Sequence, residues 1–148
     1  MGTLTGFLNP EGVVILENSE KTEALARLCE AACRGTDLDV ERVRRGVLER
    51  EAMLSTGIGL GIALPHVRLP EADRFVLSVG LFRPPIEYGS LDGKPVAIAL
   101  LLIGPSRSHE EFVRFVARVT SVLKQEAFRE ALLAAATPAE AWEVLDRY

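Results

Sequence analysis

Histidine and cysteine are scarce in this chain: its 148 residues contain 2 of each and 1 tryptophan. So few cysteines, four positions apart in a segment of helical pattern, exclude a disulfide framework. Cys29 and Cys33 read instead as small apolar groups packed on a cytosolic helix. A zinc site joining them to both histidines would need the C-x-x-C and histidine spacings of such sites, and neither is present. There is no excess of positive charge. Lys and Arg number 17 against 21 Asp and Glu, and the net charge of -4 argues against a nucleic-acid surface, which requires a concentrated positive field. No apolar run approaches the length of a membrane span. The opening MGTLTGFLNPEG has neither the basic start nor the long apolar core of a secretory signal. These absences predict a cytoplasmic protein without membrane insertion. The length predicts one domain over residues 1–148, able to bury a core without disulfides or metal.

What is present reads as strands interleaved with helices. NPEG precedes a strand candidate, VVIL, at 13–16. Ser19 is a plausible N-cap for a helix whose stripe is Ala24, Leu25, Leu28, Cys29 and Ala32, closed by Gly35. A second helix starts near Asp37 or Asp39, buries Val40, Val43, Val47 and Leu48, and ends near Leu54. Arg42, Arg44, Arg45 and Glu49 form its solvated face. The run IALP places a strand end at Leu64, because a residue before proline is biased to extended geometry. His66 is therefore expected just beyond a strand. RFVLSVGLF at 74–82 and PVAIALLLIG at 95–104 follow, the second apolar enough to be a central strand covered on both faces. Ser108 and Glu111 fit a capping box that puts His109 in the first turn of a long amphipathic helix. Two shorter helices, at 126–135 and 138–147, end the chain, the last capped by Thr137 with Pro138 at its first position. This order predicts an α/β domain with a mixed sheet flanked by helices on both faces.

Between the second helix and the strand lies STGIGLGIALPHVR, from Ser55 to Arg68. Its glycines at 57, 59 and 61 lack the later glycine of a dinucleotide fingerprint and the Lys-Ser/Thr pair of a P-loop. Nucleotide loops also run from strand into helix, whereas this segment runs from helix into strand. The glycines provide positive φ and close backbone approach, either for an irregular turn or for a functional one. Pro65 stiffens the chain immediately ahead of His66. At a helix N-terminus His109 gains nothing as a cap and suits a neutral hydrogen-bonding role or contact with an anion at the same helix end. Two histidines that both follow strands of one sheet could meet at its edge.

REAMLSTGIGLGIALPH, from Arg50 to His66, resembles the phosphorylation-site signature of the fructose/mannitol-type (type 2) enzyme IIA domain of the bacterial phosphoenolpyruvate:sugar phosphotransferase system, including its nitrogen-regulatory members. The resemblance extends over nearly the whole chain, through FLNPEGVVIL at the start and SHEEFVRFVARV in the long helix. It implies that His66 accepts a phosphoryl group from the small carrier protein HPr, and that His109 and Arg50 are the accompanying site residues. It implies no metal, nucleotide or other cofactor. The partner that receives the phosphate would be an enzyme IIB component, or a regulatory target if the protein is of the nitrogen type.

The chemistry suits those residue types. Neutral imidazole is a competent nucleophile near pH 7, and transfer between histidines needs in-line positioning and stabilisation of the phosphoryl oxygens. Arg50 can bind those oxygens with directional hydrogen bonds, His109 can donate another or orient His66, and backbone N–H groups of the glycine segment can add more. Two positions depart from the family pattern. Leu60 stands where a polar or small residue is usual, and Val67 follows the histidine where glycine is common, so both are expected to make the rim more apolar and Val67 to crowd the histidine. The competing reading is a binding module of the same fold that docks to partners without turning over phosphate. A metal-dependent hydrolase would require acidic ligands at suitable spacing, which the chain lacks.

Overall fold

The computed structural model describes residues 2–148; of the opening segment read above, Met1 lies outside the described residues. Six strands form one mixed sheet: β1 (Leu8–Glu17), β2 (Gly57–Gly59), β3 (Ile62–Ala63), β4 (His66–Leu69), β5 (Val76–Ile86) and β6 (Val96–Pro105). The order is β1-β5-β6-β3-β2, with β4 also pairing with β6. One side of β6 is antiparallel to β5, and the other carries β3 and then β4, both parallel to it. Strand β6 is thus interior to the sheet, which explains its unbroken apolar run: Ile98 to Ile103 are all buried.

Among the described residues, five α-helices cover the two faces: α1 (Lys21–Cys33), α2 (Val40–Met53), α3 (His109–Leu123), α4 (Glu126–Leu133) and α5 (Pro138–Leu145). Alternation along the strands divides the core in two. Leu77, Val79, Leu81, Leu100 and Leu102 pack with Phe115, Val119 and Phe128 from α3 and α4. Ala99, Leu101 and Ile103 pack with Leu25, Leu28, Val43 and Val47 from α1 and α2. Cys29 and Cys33 lie in this second layer, where burial pushes the Cys29 thiol up to about 12. The expected mixed sheet with helices on both faces is the observed architecture.

Several boundaries differ from the sequence reading. The first strand extends over 8–17 rather than 13–16, because its polar start still pairs with β5 through a register shift between Leu8 and Val13. Helix α1 is capped at Glu20 rather than Ser19, without a side-chain cap bond. Asp39 caps α2 by accepting from the Glu41 N–H; Val43 and Val47 are buried, and Val40 and Leu48 pack against the same core partly buried. His66 does lie just beyond a strand, β3, which ends at Ala63, but it also opens β4, since Pro65 interrupts the pairing after Ala63 and the chain resumes it against Leu102.

Candidate functional site

Pro65 separates two short strands that share one edge of β6. Its carbonyl accepts the Leu102 N–H at 2.9 Å, so the backbone on either side is held to the sheet. Just past it, Nδ1 of His66 lies 2.8 Å from the Leu64 carbonyl oxygen. A carbonyl only accepts, so the neutral ring carries its proton on Nδ1 and leaves the Nε2 lone pair free. Burial is the main force holding the His66 imidazole below its ordinary value of 6.5, and the Arg50 charge acts the same way, against the opposing Leu64 bond and Glu51 carboxylate. A neutral ring with a free nitrogen is a nucleophile at physiological pH.

Successive side chains of β4 point to opposite faces. His66 and Arg68 share one face, while Val67 and Leu69 enter the core layer beneath α2. The Val67 side chain takes the space beside Gly46, where an added Cβ would stand 2.8 Å from Val67 Cγ2. Val67 packs into this layer and also borders the cavity beside His66. Leu60 does make the surface more apolar: it is 57% exposed, at φ 60° between Gly59 and Gly61.

His109 is the first residue of α3, whose Ser108 cap accepts the Glu111 N–H at 3.2 Å, one of the two bonds of the expected capping box, while the Glu111 carboxylate pairs with Arg107. From there the ring meets Arg68, whose Nη1 lies 3.0 Å from His109 Nδ1. One turn along α3, Phe112 forms the floor, with its ring centroid 5.9 Å from that of His66 and 5.5 Å from the Arg68 guanidinium carbon. Arg50 approaches from the last turn of α2, its Nη1 donating to the Leu54 carbonyl at 2.8 Å. A cation suits that helix end, where unpaired carbonyls accumulate negative potential.

Arg50, His66 and His109 all border one open cavity of about 410 Å³, together with Val67, Arg68, Phe112, Val113 and Val116. A second hollow of about 280 Å³ continues past Arg50 and His66 toward Leu54, Ile58 and Leu91. The three residues singled out from the sequence thus meet at one surface. Gly57, Gly59 and Gly61 do not border the larger cavity, where their N–H groups were expected to add hydrogen bonds to phosphoryl oxygens. They build the β2–β3 hairpin, in which Gly59 and Gly61 have φ values of 92° and 73°.

Two contributors escaped the sequence reading. Arg68 was available as the second residue after His66, and a strand beginning at the histidine would have put both on one face. Glu51 is buried, with its carboxylate accepting from Thr56 N–H at 2.9 Å and Thr56 Oγ1 at 2.6 Å and pairing with Lys21 Nζ at 2.9 Å. It ties the end of α2 to the start of the glycine hairpin and so locates Arg50 relative to His66. Among the described residues, no group of three or more His, Cys, Asp or Glu is placed to hold a metal ion.

The mixed α/β sheet thus carries two histidines and an arginine around one open cavity, residue types able to hydrogen-bond an anionic group. Residues 6–148 match the family model described as "Phosphoenolpyruvate-dependent sugar phosphotransferase system, EIIA 2", and the chain belongs to that family. It is 30% identical over 144 residues to a nitrogen regulatory protein of Bradyrhizobium diazoefficiens, covering 96% of this chain and 94% of that protein. A nitrogen regulatory protein of Escherichia coli is also 30% identical, over 84% of this chain and 77% of its own length. Among solved structures, nitrogen regulatory protein IIA-Ntr from Neisseria meningitidis superposes with a TM-score of 0.86 at 24% identity, over 96% of this chain and 98% of the other. The mannitol IIA of Escherichia coli superposes with a TM-score of 0.75 at 20% identity, over 93% and 98%. The last two establish likeness of fold.

Proposed function

We propose that the chain is a phosphoryl carrier in which Nε2 of His66 accepts phosphate from an HPr-like phosphocarrier and passes it to an EIIB component or a regulatory target. The observation that carries this reading is the Leu64 bond to His66 Nδ1, which leaves Nε2 of a cavity-lining histidine free. In the transfer, the Nε2 lone pair forms a new P–N bond as the donor's P–N bond breaks. The ring proton stays on Nδ1, and the positive charge developing on the imidazole is met by the Leu64 carbonyl. Arg50 stabilises the phosphoryl oxygens, and His109 donates to them from its own ring.

The surroundings suit a protein donor. Val113 beside the larger cavity and Leu54, Ile58 and Leu91 along the smaller one are exposed apolar residues, the kind of collar that a partner surface covers. Both kinds of recipient are represented among the relatives, which include nitrogen regulatory proteins and fructose-specific components.

The test is incubation with phosphorylated HPr followed by intact mass measurement. One phosphate should be gained by the wild type and none by His66→Ala. A gain that survives the substitution places the phosphate elsewhere. No gain by the wild type with a cognate donor favours the binding-module reading.

A further inference from the structure

Arg68 is joined to the site by contacts that its own neighbours in β4 do not make. Its Nη1 lies 3.0 Å from His109 Nδ1, and its Nη2 donates to the Ser106 carbonyl at 3.2 Å. The planar guanidinium therefore grips both ends of the turn that leads into α3, three residues apart, from a strand on the other side of the cavity. Its Nε is buried without a hydrogen-bond partner among the described residues, so the side chain is held for those two contacts at the expense of a third donor.

A guanidinium has donors only, so the His109 nitrogen it faces must be the acceptor. We propose that Arg68 is a positioning residue that locks His109 in the tautomer carrying its proton on Nε2, turning that N–H toward the space where a phosphoryl group on His66 would sit. The two histidines then have opposite tautomers, each set by a different partner: Leu64 fixes the proton of His66 on Nδ1, and Arg68 excludes it from Nδ1 of His109. One ring is left as a nucleophile and the other as a donor. The inference rests on the proposed role of His66 for its purpose, while its structural content is independent of phosphate.

Proton–nitrogen correlation spectra of the unphosphorylated protein labelled on histidine nitrogen, recorded at pH about 8 where ordinary imidazoles are neutral, test it directly. With two histidines in the chain, His109→Gln assigns both sets of signals. The expected wild-type result is a single Nε2–H tautomer at His109 and Nδ1–H at His66. Arg68→Met should release His109 to a mixture while His66 keeps its tautomer, and Arg68→Lys, which retains a donor, should restore part of the bias. A mixture at wild-type His109 overturns the proposal whether or not a variant folds, as does an unchanged spectrum in Arg68→Met. In transfer assays, Arg68→Met should slow phosphate acceptance about tenfold, and have no further effect in the His109→Gln background. An additive loss there would mean that Arg68 acts on phosphate itself, and would equally overturn it. Failure of His66 to accept phosphate sinks the functional reading but leaves the tautomer measurement intact.

Discussion

His66 donates its Nδ1 proton to the carbonyl of Leu64 at 2.8 Å, across the single residue Pro65 that separates them. Proline's fixed φ and the parallel pairing of both flanking strands to β6 make this a property of the backbone, so the free Nε2 does not depend on a neighbouring side chain that could move.

The donor role of His109 predicts a specific defect. His109→Gln should still accept phosphate on His66, with the rate constant reduced by about 100-fold and the folded stability little changed. Single-turnover transfer from phosphorylated HPr, read by mass, measures it, and a wild-type rate in the variant would remove His109 from the reaction.

Stability should depend on pH through His66. Burial lowers its folded-state pKa below 6.5, so the unfolded chain binds the proton more readily. The stabilisation from the neutral ring is complete above about pH 6.5 and is lost as pH falls from there through the folded-state value. Urea unfolding between about pH 5 and 8 should show a decline toward acid that is shallower in His66→Gln; equal slopes would deny the linkage.

Glu51 should matter more for stability than a surface carboxylate. Glu51→Ala leaves the Thr56 N–H and hydroxyl and the Lys21 ammonium without their acceptor. The expected loss is about 2–4 kcal/mol in chemical denaturation, against a smaller loss for Glu51→Gln, which keeps an acceptor oxygen. A change under about 0.5 kcal/mol would place the network outside the fold's main supports.

Close packing of the glycine hairpin gives a paired test. A Cβ on Gly57 would stand 2.8 Å from Ser90 Cβ and closer still to its hydroxyl oxygen. Gly57→Ala should destabilise by about 1–3 kcal/mol, and Ser90→Gly in the same chain should recover part of that loss. Independent, additive effects of the two changes would contradict the contact.

Much of the layered fold could be read from periodicity. The unbroken apolar run of β6 announced an interior strand, and the stripes of α1 to α3 announced helices packed on one side, because both patterns record burial directly. Caps written in local chemistry were equally readable: Asp39, Ser108 and Thr137 each accept the backbone N–H that their position requires. Ser19 was misplaced by one residue as a cap, since Glu20 holds that position through backbone geometry alone. The start of β4 at His66 was missed because a four-residue strand across a proline has too little pattern of its own, and its existence depends on the partner strand.

The residue types of the site, and the local stiffness at Pro65, are determined by the sequence alone, since they need only covalent geometry and short-range chemistry. Only the tertiary structure decided that Arg68 shares the cavity, that Val67 packs into the core layer while still bordering the cavity, and that the glycines shape a hairpin beside it. Those outcomes depend on which face of β4 meets α2 and which end of β6 delivers α3, and such choices are made by the joint burial of surfaces far apart along the chain.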